Sequence, residues 1–200
     1  FVHGDPHDAP MAMDYFIWIL ANQVRTIVVD VGYGREEGES RGRTYLRSPV
    51  EGLALLGIDA GDIEDVIITH MHYDHAGNLE MFPNARFHIQ DAEMSLVTGR
   101  AMTHPALRHS FRLDDAGAMV RLIYGDRVVF HDGEGQIAPG VTVHHLPGHT
   151  RGMQAVRAGS QRGPVVLASD VAHYYESFEQ ETPFLTHENL FHMLESHRKL

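Results

Sequence analysis

The sequence contains no cysteine among its 200 residues. This absence excludes a disulfide framework, a thiolate metal site and a thiol nucleophile. A chain without disulfides fits a reducing compartment, so we expect a cytoplasmic protein. Because the sequence begins with Phe1 instead of methionine and stops inside a helical pattern, we expect it to be cut at both ends, and a signal peptide is neither found nor excluded.

Long apolar runs and basic residues are also scarce. The best apolar run, residues 15–20, has the length of a strand and falls short of the roughly 18 residues that a membrane-spanning helix needs. Lys and Arg number 16 against 27 Asp and Glu, which gives a formal net charge of -11. An acidic surface repels phosphate backbones, and no dense run of Lys and Arg offsets it here. We therefore expect no membrane partner and no nucleic-acid partner.

Strands alternate with helices along one unbroken run, which predicts a single α/β domain over residues 1–200. The pattern predicts a hairpin at 15–20 and 26–31, a loop that continues to Arg47, and a helix that starts at Ser48-Pro49. Later strands are predicted at 65–69, 86–89, 127–130, 141–146, 153–157 and 165–168, and a last helix at 187–200. Residues 91–124 look mostly helical; their Met and Phe content suits an apolar cover over the active site, or else simple packing onto the core.

Histidine is the unusual residue, with 16 copies, as many as Lys and Arg together. Three of them lie in Thr69-His70-Met71-His72-Tyr73-Asp74-His75, at the exit of an apolar strand. In an extended chain, residues two apart point the same way, so His70 and His72 converge, whereas the neighbours Asp74 and His75 diverge. Four such ligands are crowded for one ion but natural for two. The alternative, a polar loop with chance histidines, explains neither the spacing nor the strand exit.

Two further ligand candidates follow apolar strands. His149 stands in Pro147-Gly148-His149-Thr150 after the strand at 141–146, and Asp170 stands at the tip of the strand at 165–168. Each alone has a simple interpretation, as a turn histidine and as a capping carboxylate. Together they would supply a third nitrogen for one ion and a carboxylate that bridges both. Strand tips are where a rigid sheet usually presents a site.

These motifs, in this order, resemble those of the metallo-β-lactamase superfamily. The resemblance implies a four-layer αβ/βα sandwich with the metal site at one edge of the sheets, and two divalent ions, with zinc as the first choice. It places His70, His72 and His149 on one ion, Asp74 and His75 on the other, and Asp170 between them. Asp30, in Val-Val-Asp-Val-Gly, is similar to an Asp-x-Gly strand end that supports a ligand histidine in this superfamily.

Within the superfamily, the chain is similar to the N-acyl homoserine lactonase group, because residues 170–184 also resemble that group. Two features depart from it. The final histidine that the resemblance implies for the second metal would fall past Leu200, or else His187, His192 or His197 replaces it. We favour the interpretation that it lies past Leu200. His173 stands where those lactonases carry a catalytic tyrosine, with Tyr174 beside it. The candidate catalytic residues are therefore Asp74, His173 and Tyr174.

The resemblance implies a metal-dependent hydrolase that opens a small-molecule lactone or a related ester, as in quorum quenching. Two Lewis acids would lower the pKa of a shared water, and the resulting hydroxide would attack the carbonyl. The alternatives are a thioester hydrolase similar to glyoxalase II and a persulfide dioxygenase with a single iron. Metal identity separates them, although His/Asp sites of this kind accept zinc, manganese, iron or cobalt. The sequence does not decide between a monomer and a homodimer.

Overall fold

The computed structural model describes residues 13–200. Its strands are β1 (Trp18–Ala21), β2 (Thr26–Val29), β3 (Asp65–Ile67), β4 (Arg86–Gln90), β5 (Val128–His131), β6 (Gly135–Ala138), β7 (Val141–His145), β8 (Gln154–Ser160) and β9 (Gly163–Leu167). Its α-helices are α1 (Arg35–Ser40), α2 (Pro49–Ala54), α3 (Tyr73–Ala76), α4 (Asp91–Val97), α5 (Pro105–Arg108), α6 (Leu113–Tyr124), α7 (Tyr175–Glu179) and α8 (Leu190–His197). Short 3-10 turns lie at Ala60–Asp62, Leu79–Met81, Arg100–Thr103 and Ser169–Val171.

The chain divides into two compact units. The five-stranded unit comprises Tyr15–Ile89 and Val97–Phe130, and its sheet has the order β1-β2-β3-β4-β5. The four-stranded unit is built mainly from Gln90–Leu96 and His131–Leu200, and its sheet has the order β6-β7-β8-β9. No helix of the described part, residues 13–200, is long and apolar enough to cross a membrane.

In the five-stranded unit, β1 pairs with β2 in the predicted antiparallel hairpin, and β2, β3 and β4 run parallel. Val28, Val66 and Phe87 occupy neighbouring positions across these parallel strands and are fully buried. Because Val29 pairs in register with Ile67, the residues that follow β2 and β3 leave the sheet at the same edge. The sequence after both strands is therefore brought together at that edge.

In the four-stranded unit, all neighbouring strands are antiparallel. Its core cluster contains Leu146, Met153, Ala155 and Val171. The loop that joins β7 to β8 and the chain that follows β9 lie at one edge of this sheet, because β9 runs back along β8 from the opposite edge. This edge carries His149 and Asp170.

Most predicted elements are present, but the predicted loop up to Arg47 is wrong. It contains α1, although Gly32 and Gly34 just before this helix indicated a loop. Glu37 lies 2.5 Å from Arg41 one turn later, and Gly38 packs where a Cβ would lie only 2.3 Å from the ring of Tyr33. A glycine is thus required inside this short helix by close packing. Strand β6 was not predicted either, and α8 begins at Leu190 because the side chain of Asn189 caps it.

Candidate metal centre

His70 and His72 follow β3, and both are buried. Nε2 of His70 lies 3.0 Å from Nδ1 of His72, and the two ring centroids are 4.5 Å apart. Met71, between them, is fully buried and packs into the core. The alternation expected of extended backbone therefore sets the two imidazoles side by side, with two ring nitrogens facing each other. Two convergent imidazole nitrogens are a donor pair suited to a divalent transition metal.

His75 is held by a buried carboxylate, Asp30, which follows β2. Nδ1 of His75 lies 2.8 Å from Oδ2 of Asp30. Thr69 fixes this carboxylate by donating from its backbone N–H to Oδ1 at 2.7 Å and from its hydroxyl to Oδ2 at 2.8 Å. A carboxylate partner places the imidazole proton on Nδ1, which leaves the lone pair on Nε2. Asp30 thus contacts a candidate ligand histidine, as the supporting role expected of it requires.

Asp74 approaches His75 more closely than we expected. Oδ2 of Asp74 lies 3.6 Å from Nε2 of His75, so the predicted divergence of these two neighbours is wrong. Both residues belong to α3, for which His72 is the N-cap residue, and helical backbone sets neighbouring side chains about 100° apart, whereas extended backbone would point them to opposite sides. The Asp74 side chain is 14% exposed, so water can reach its carboxylate.

Gly77 allows the turns after β2 and β3 to pack on each other. A Cβ on Gly77 would lie 2.6 Å from the carbonyl oxygen of Tyr73 and 2.9 Å from that of Gly32. The backbone N–H of Gly77 donates to Gly32, and the side chain of Asn78 donates to the carbonyl of Val31 at 2.8 Å. The turn that carries the histidines is therefore fixed against the turn that carries Asp30.

In the four-stranded unit, His149 and Asp170 come together at the sheet edge. Nε2 of His149 lies 3.2 Å from Oδ2 of Asp170, and Nδ1 of His149 lies 2.8 Å from the carbonyl oxygen of Thr186. Because a carbonyl can only accept, Nδ1 carries the proton and Nε2 is the nitrogen available to a metal. Asp170 lies in the 3-10 turn after β9, next to Ser169, whose φ is 48°.

His173 joins the same group. Its Nε2 lies 3.1 Å from Oδ2 of Asp170, and one ligand atom from each of His149, Asp170 and His173 falls within 4.8 Å of the others. The ring of Phe184 stacks on His173 at a centroid distance of 4.3 Å and on Tyr174 at 5.8 Å. Nδ1 of His173 is buried without a hydrogen-bond partner. The structure thus turns this imidazole toward Asp170.

The chain is similar to known proteins over nearly its whole length. The family model of the metallo-β-lactamase superfamily matches residues 13–193. An N-acyl homoserine lactonase of a Bacillus species is 32% identical over 190 residues, which cover 86% of this chain and 70% of that protein. The chain belongs to the metallo-β-lactamase superfamily. Other curated relatives match over about half of their own length.

Solved structures have the same fold. A structure of an N-acyl homoserine lactone hydrolase with N-hexanoyl-L-homoserine at its catalytic metal centre has a TM-score of 0.77 and 22% identity, covering 92% of this chain and 74% of that one. A dizinc quorum-quenching lactonase has a TM-score of 0.72 and 20% identity, covering 92% and 66%. The predicted metallo-β-lactamase fold is confirmed.

The three substitutes that we considered for the final histidine of this superfamily have other contacts. Nε2 of His197 lies 2.6 Å from the carbonyl oxygen of Val171, and burial lowers the pKa of this imidazole below its ordinary value. Nδ1 of His187 lies 2.9 Å from the carbonyl oxygen of Phe184, and His192 is exposed beside Phe191. Among the described residues of the four-stranded unit, none of the three joins His149, Asp170 and His173.

The sequence did not predict the contacts of those residues that support this centre from distant positions in the chain. Phe184 was noted only as part of a stretch similar to the superfamily's lactonases, yet it stacks on two of the three candidate catalytic side chains, His173 and Tyr174. Phe111 was expected in an apolar cover, and its ring lies 4.5 Å from that of His72, in the edge-to-face range. Glu93 drew no notice, because a glutamate in the first turn of a helix normally faces solvent.

Proposed function

We propose that the chain binds two divalent metal ions, with zinc as the first choice. His70, His72 and His149 hold one ion, Asp74 and His75 hold the other, and Asp170 lies between them. The carboxylate of Asp170 carries this assignment, because its Oδ2 lies within 3.2 Å of ring nitrogens of both His149 and His173. Neutral imidazoles with their protons fixed by Asp30 and by Thr186, together with carboxylates, are the donor set that zinc accepts.

The reaction is hydrolysis of the ester bond of an N-acyl homoserine lactone, the substrate class of the Bacillus relative. The bound ions supply Lewis acidity, which activates a water and polarises the carbonyl. Asp74 is partly exposed and accepts the proton of the attacking water. It returns that proton to the alkoxide when the ring C–O bond breaks, which gives the free hydroxyl and the carboxylic acid of N-acyl homoserine, and the acid then loses its own proton to the solvent.

His173 binds the substrate carbonyl in this scheme. In the structure its Nε2 faces Oδ2 of Asp170, and an N–H there that leaves this carboxylate would donate to the carbonyl oxygen as negative charge develops on it. Phe184 holds the imidazole plane in place by stacking. Tyr174 is the second candidate for this donor, since its ring stacks on the same Phe184 and its hydroxyl can donate as well.

The remaining expectations follow from this assignment. One catalytic domain over residues 1–200 would carry the whole metal centre, with residues 91–124 as its cover. The substrate is a small molecule, and the net charge of -11 argues against a nucleic-acid partner. The sequence leaves a homodimer open, and sedimentation of the purified protein would measure it.

The experiment that tests the proposal combines metal content with a substrate panel. Protein loaded with zinc and freed of excess metal should contain close to two ions per chain and should hydrolyse N-hexanoyl homoserine lactone. Activity on a glutathione thioester instead would indicate a thioesterase, and oxidation of a glutathione persulfide with one iron per chain would indicate a dioxygenase. Asp170→Asn should lose metal and lactone hydrolysis together, whereas Glu179→Gln, at an exposed position of α7, should lose neither.

A further inference from the structure

The loop at residues 147–152, which we call the His149 loop, rests on a buried carboxylate. Glu93 in the first turn of α4 is fully buried. Its Oε2 accepts a hydrogen bond from the hydroxyl of Thr150 at 2.7 Å and one from the backbone N–H of Gly152 at 2.9 Å. Thr150 itself is 1% exposed. One carboxylate oxygen therefore holds the chain on the C-terminal side of His149 at two points.

The backbone of this loop lies directly on the backbone of α4. A Cβ on Gly152 would lie 2.2 Å from the backbone nitrogen of Glu93 and 2.4 Å from its Cβ, which no side chain could tolerate. The glycine thus brings the loop within reach of the carboxylate. Burying a carboxylate is unfavourable unless its oxygens are hydrogen-bonded, so an apolar residue would stabilise the fold more simply at this position.

The other side of the His149 loop is fixed independently. The hydroxyl of Ser196 in α8 donates to the carbonyl of Pro147 at 2.7 Å, and the backbone N–H of Glu188 donates to the carbonyl of Gly148 at 2.9 Å. A Cβ on Gly148 would lie 2.3 Å from the backbone of Met193. The loop is therefore held from the α8 side before His149 and from the α4 side after it.

We propose that Glu93 is a positioning residue for His149. The inference rests on the proposed function, in which His149 is a metal ligand. Thr150 follows His149 directly, so the hydrogen bond to Glu93 sets the direction in which the chain leaves His149. Together with the bond from His149 to Thr186, it aims Nε2 at Asp170. A hydrogen-bonded carboxylate gives this loop one geometry, whereas an apolar side chain would only fill the space.

The test compares variants that remove or keep the two hydrogen bonds. Glu93→Ala removes the acceptor, and Thr150→Val removes one donor at nearly constant volume. Glu93→Gln keeps an acceptor oxygen, and Thr150→Ser keeps the hydroxyl. The matched control is Arg151→Gln in the same loop, because Arg151 is 47% exposed and pairs with Glu188 at the surface. Each metal-free protein is titrated with Co²⁺ against a chelator, and its thermal unfolding and its cobalt absorption bands are recorded.

Thr150→Val and Glu93→Ala should weaken cobalt binding about 10- to 100-fold and change the cobalt bands, the size of effect that supporting groups of metal ligands usually have. Glu93→Gln and Thr150→Ser should restore most of the affinity, and Arg151→Gln should match the wild type. The inference is overturned if Thr150→Val lowers the unfolding temperature of the metal-free protein while its cobalt affinity and bands stay those of Arg151→Gln. A wild type that binds cobalt but opens no lactone would contradict the proposed function. The order of the cobalt affinities among the variants would still test the positioning role of Glu93 in that case.

Discussion

Nε2 of His173 and Oδ2 of Asp170 lie 3.1 Å apart, three residues from each other in the sequence. The second imidazole that faces the same oxygen, that of His149, lies 3.2 Å from it. A carboxylate flanked by two imidazoles is fixed in direction, and an imidazole so placed is close to any group that Asp170 holds. The two residues therefore belong to one functional unit, and the variants below separate their roles.

The first prediction assigns the hydrogen-bond donor to the substrate. His173→Ala should lower kcat for a homoserine lactone about 100-fold, because a donor to the developing oxyanion is lost, and Tyr174→Phe should stay near normal. Tyr175→Phe is the control, since that side chain is 74% exposed. Steady-state rates at saturating metal measure the effect. The reverse order of the two variants would assign the role to Tyr174, and two silent variants would show that neither side chain donates.

The sequence was sufficient for those parts of the fold that depend on local pattern. Apolar β-branched runs indicate β2 and β3, and their ends locate Asp30 and His70. The supports of the site were out of reach, because they depend on contacts between distant segments. Glu93 contacts Thr150 across 57 positions of sequence, and no local pattern marks Glu93 as its partner. The loop predicted up to Arg47 was wrong for the same reason, because the packing of Gly38 in α1 on Tyr33 cannot be seen in the local sequence.

The second prediction concerns Asp170 itself. Asp170→Ala should lower metal content below two ions per chain and lower turnover at least about 10-fold, because it would remove the carboxylate that we propose lies between the two ions. Elemental analysis after gel filtration and a lactone assay measure the two effects. If Asp170 only caps the turn after β9, the variant should lose about 1 kcal/mol of stability and keep its metals and its activity.

The third prediction concerns substrate chain length. The ring of Phe111 lies 4.5 Å from the ring of His72, so its truncation should open space beside a candidate metal ligand. Phe111→Ala should shift the ratio of kcat/KM between hexanoyl and decanoyl homoserine lactone about 10-fold, and Met102→Ala should shift it in the same way. Leu113→Ala, at a position 87% exposed, is the control. Lower thermal stability with an unchanged ratio would show that these residues only pack the helices.

The last prediction concerns stability and pH at Asp115 in α6. Burial raises the pKa of this carboxyl to about 7, and the nearby charges of Glu37 and Asp114 act in the same direction, while Arg112 opposes them. Its Oδ1 lies 3.4 Å from Arg112, and its Oδ2 is buried without a hydrogen-bond partner.

Because the pKa of Asp115 is higher in the folded chain than its ordinary value of 3.8, the folded state binds the proton more tightly between pH 4 and pH 7. The free energy of unfolding should therefore fall as the pH rises through this range, by at most roughly 1.4 kcal/mol for each unit of pH. Asp115→Asn should remove this slope and be more stable than the wild type at pH 8, whereas Asp114→Asn, at a side chain 84% exposed, should keep it. Urea unfolding of metal-free protein at pH 5, 6, 7 and 8 measures the slope. Equal slopes in the wild type and Asp115→Asn would show that Asp115 is ionised in the folded chain throughout this range, held by its ion pair with Arg112.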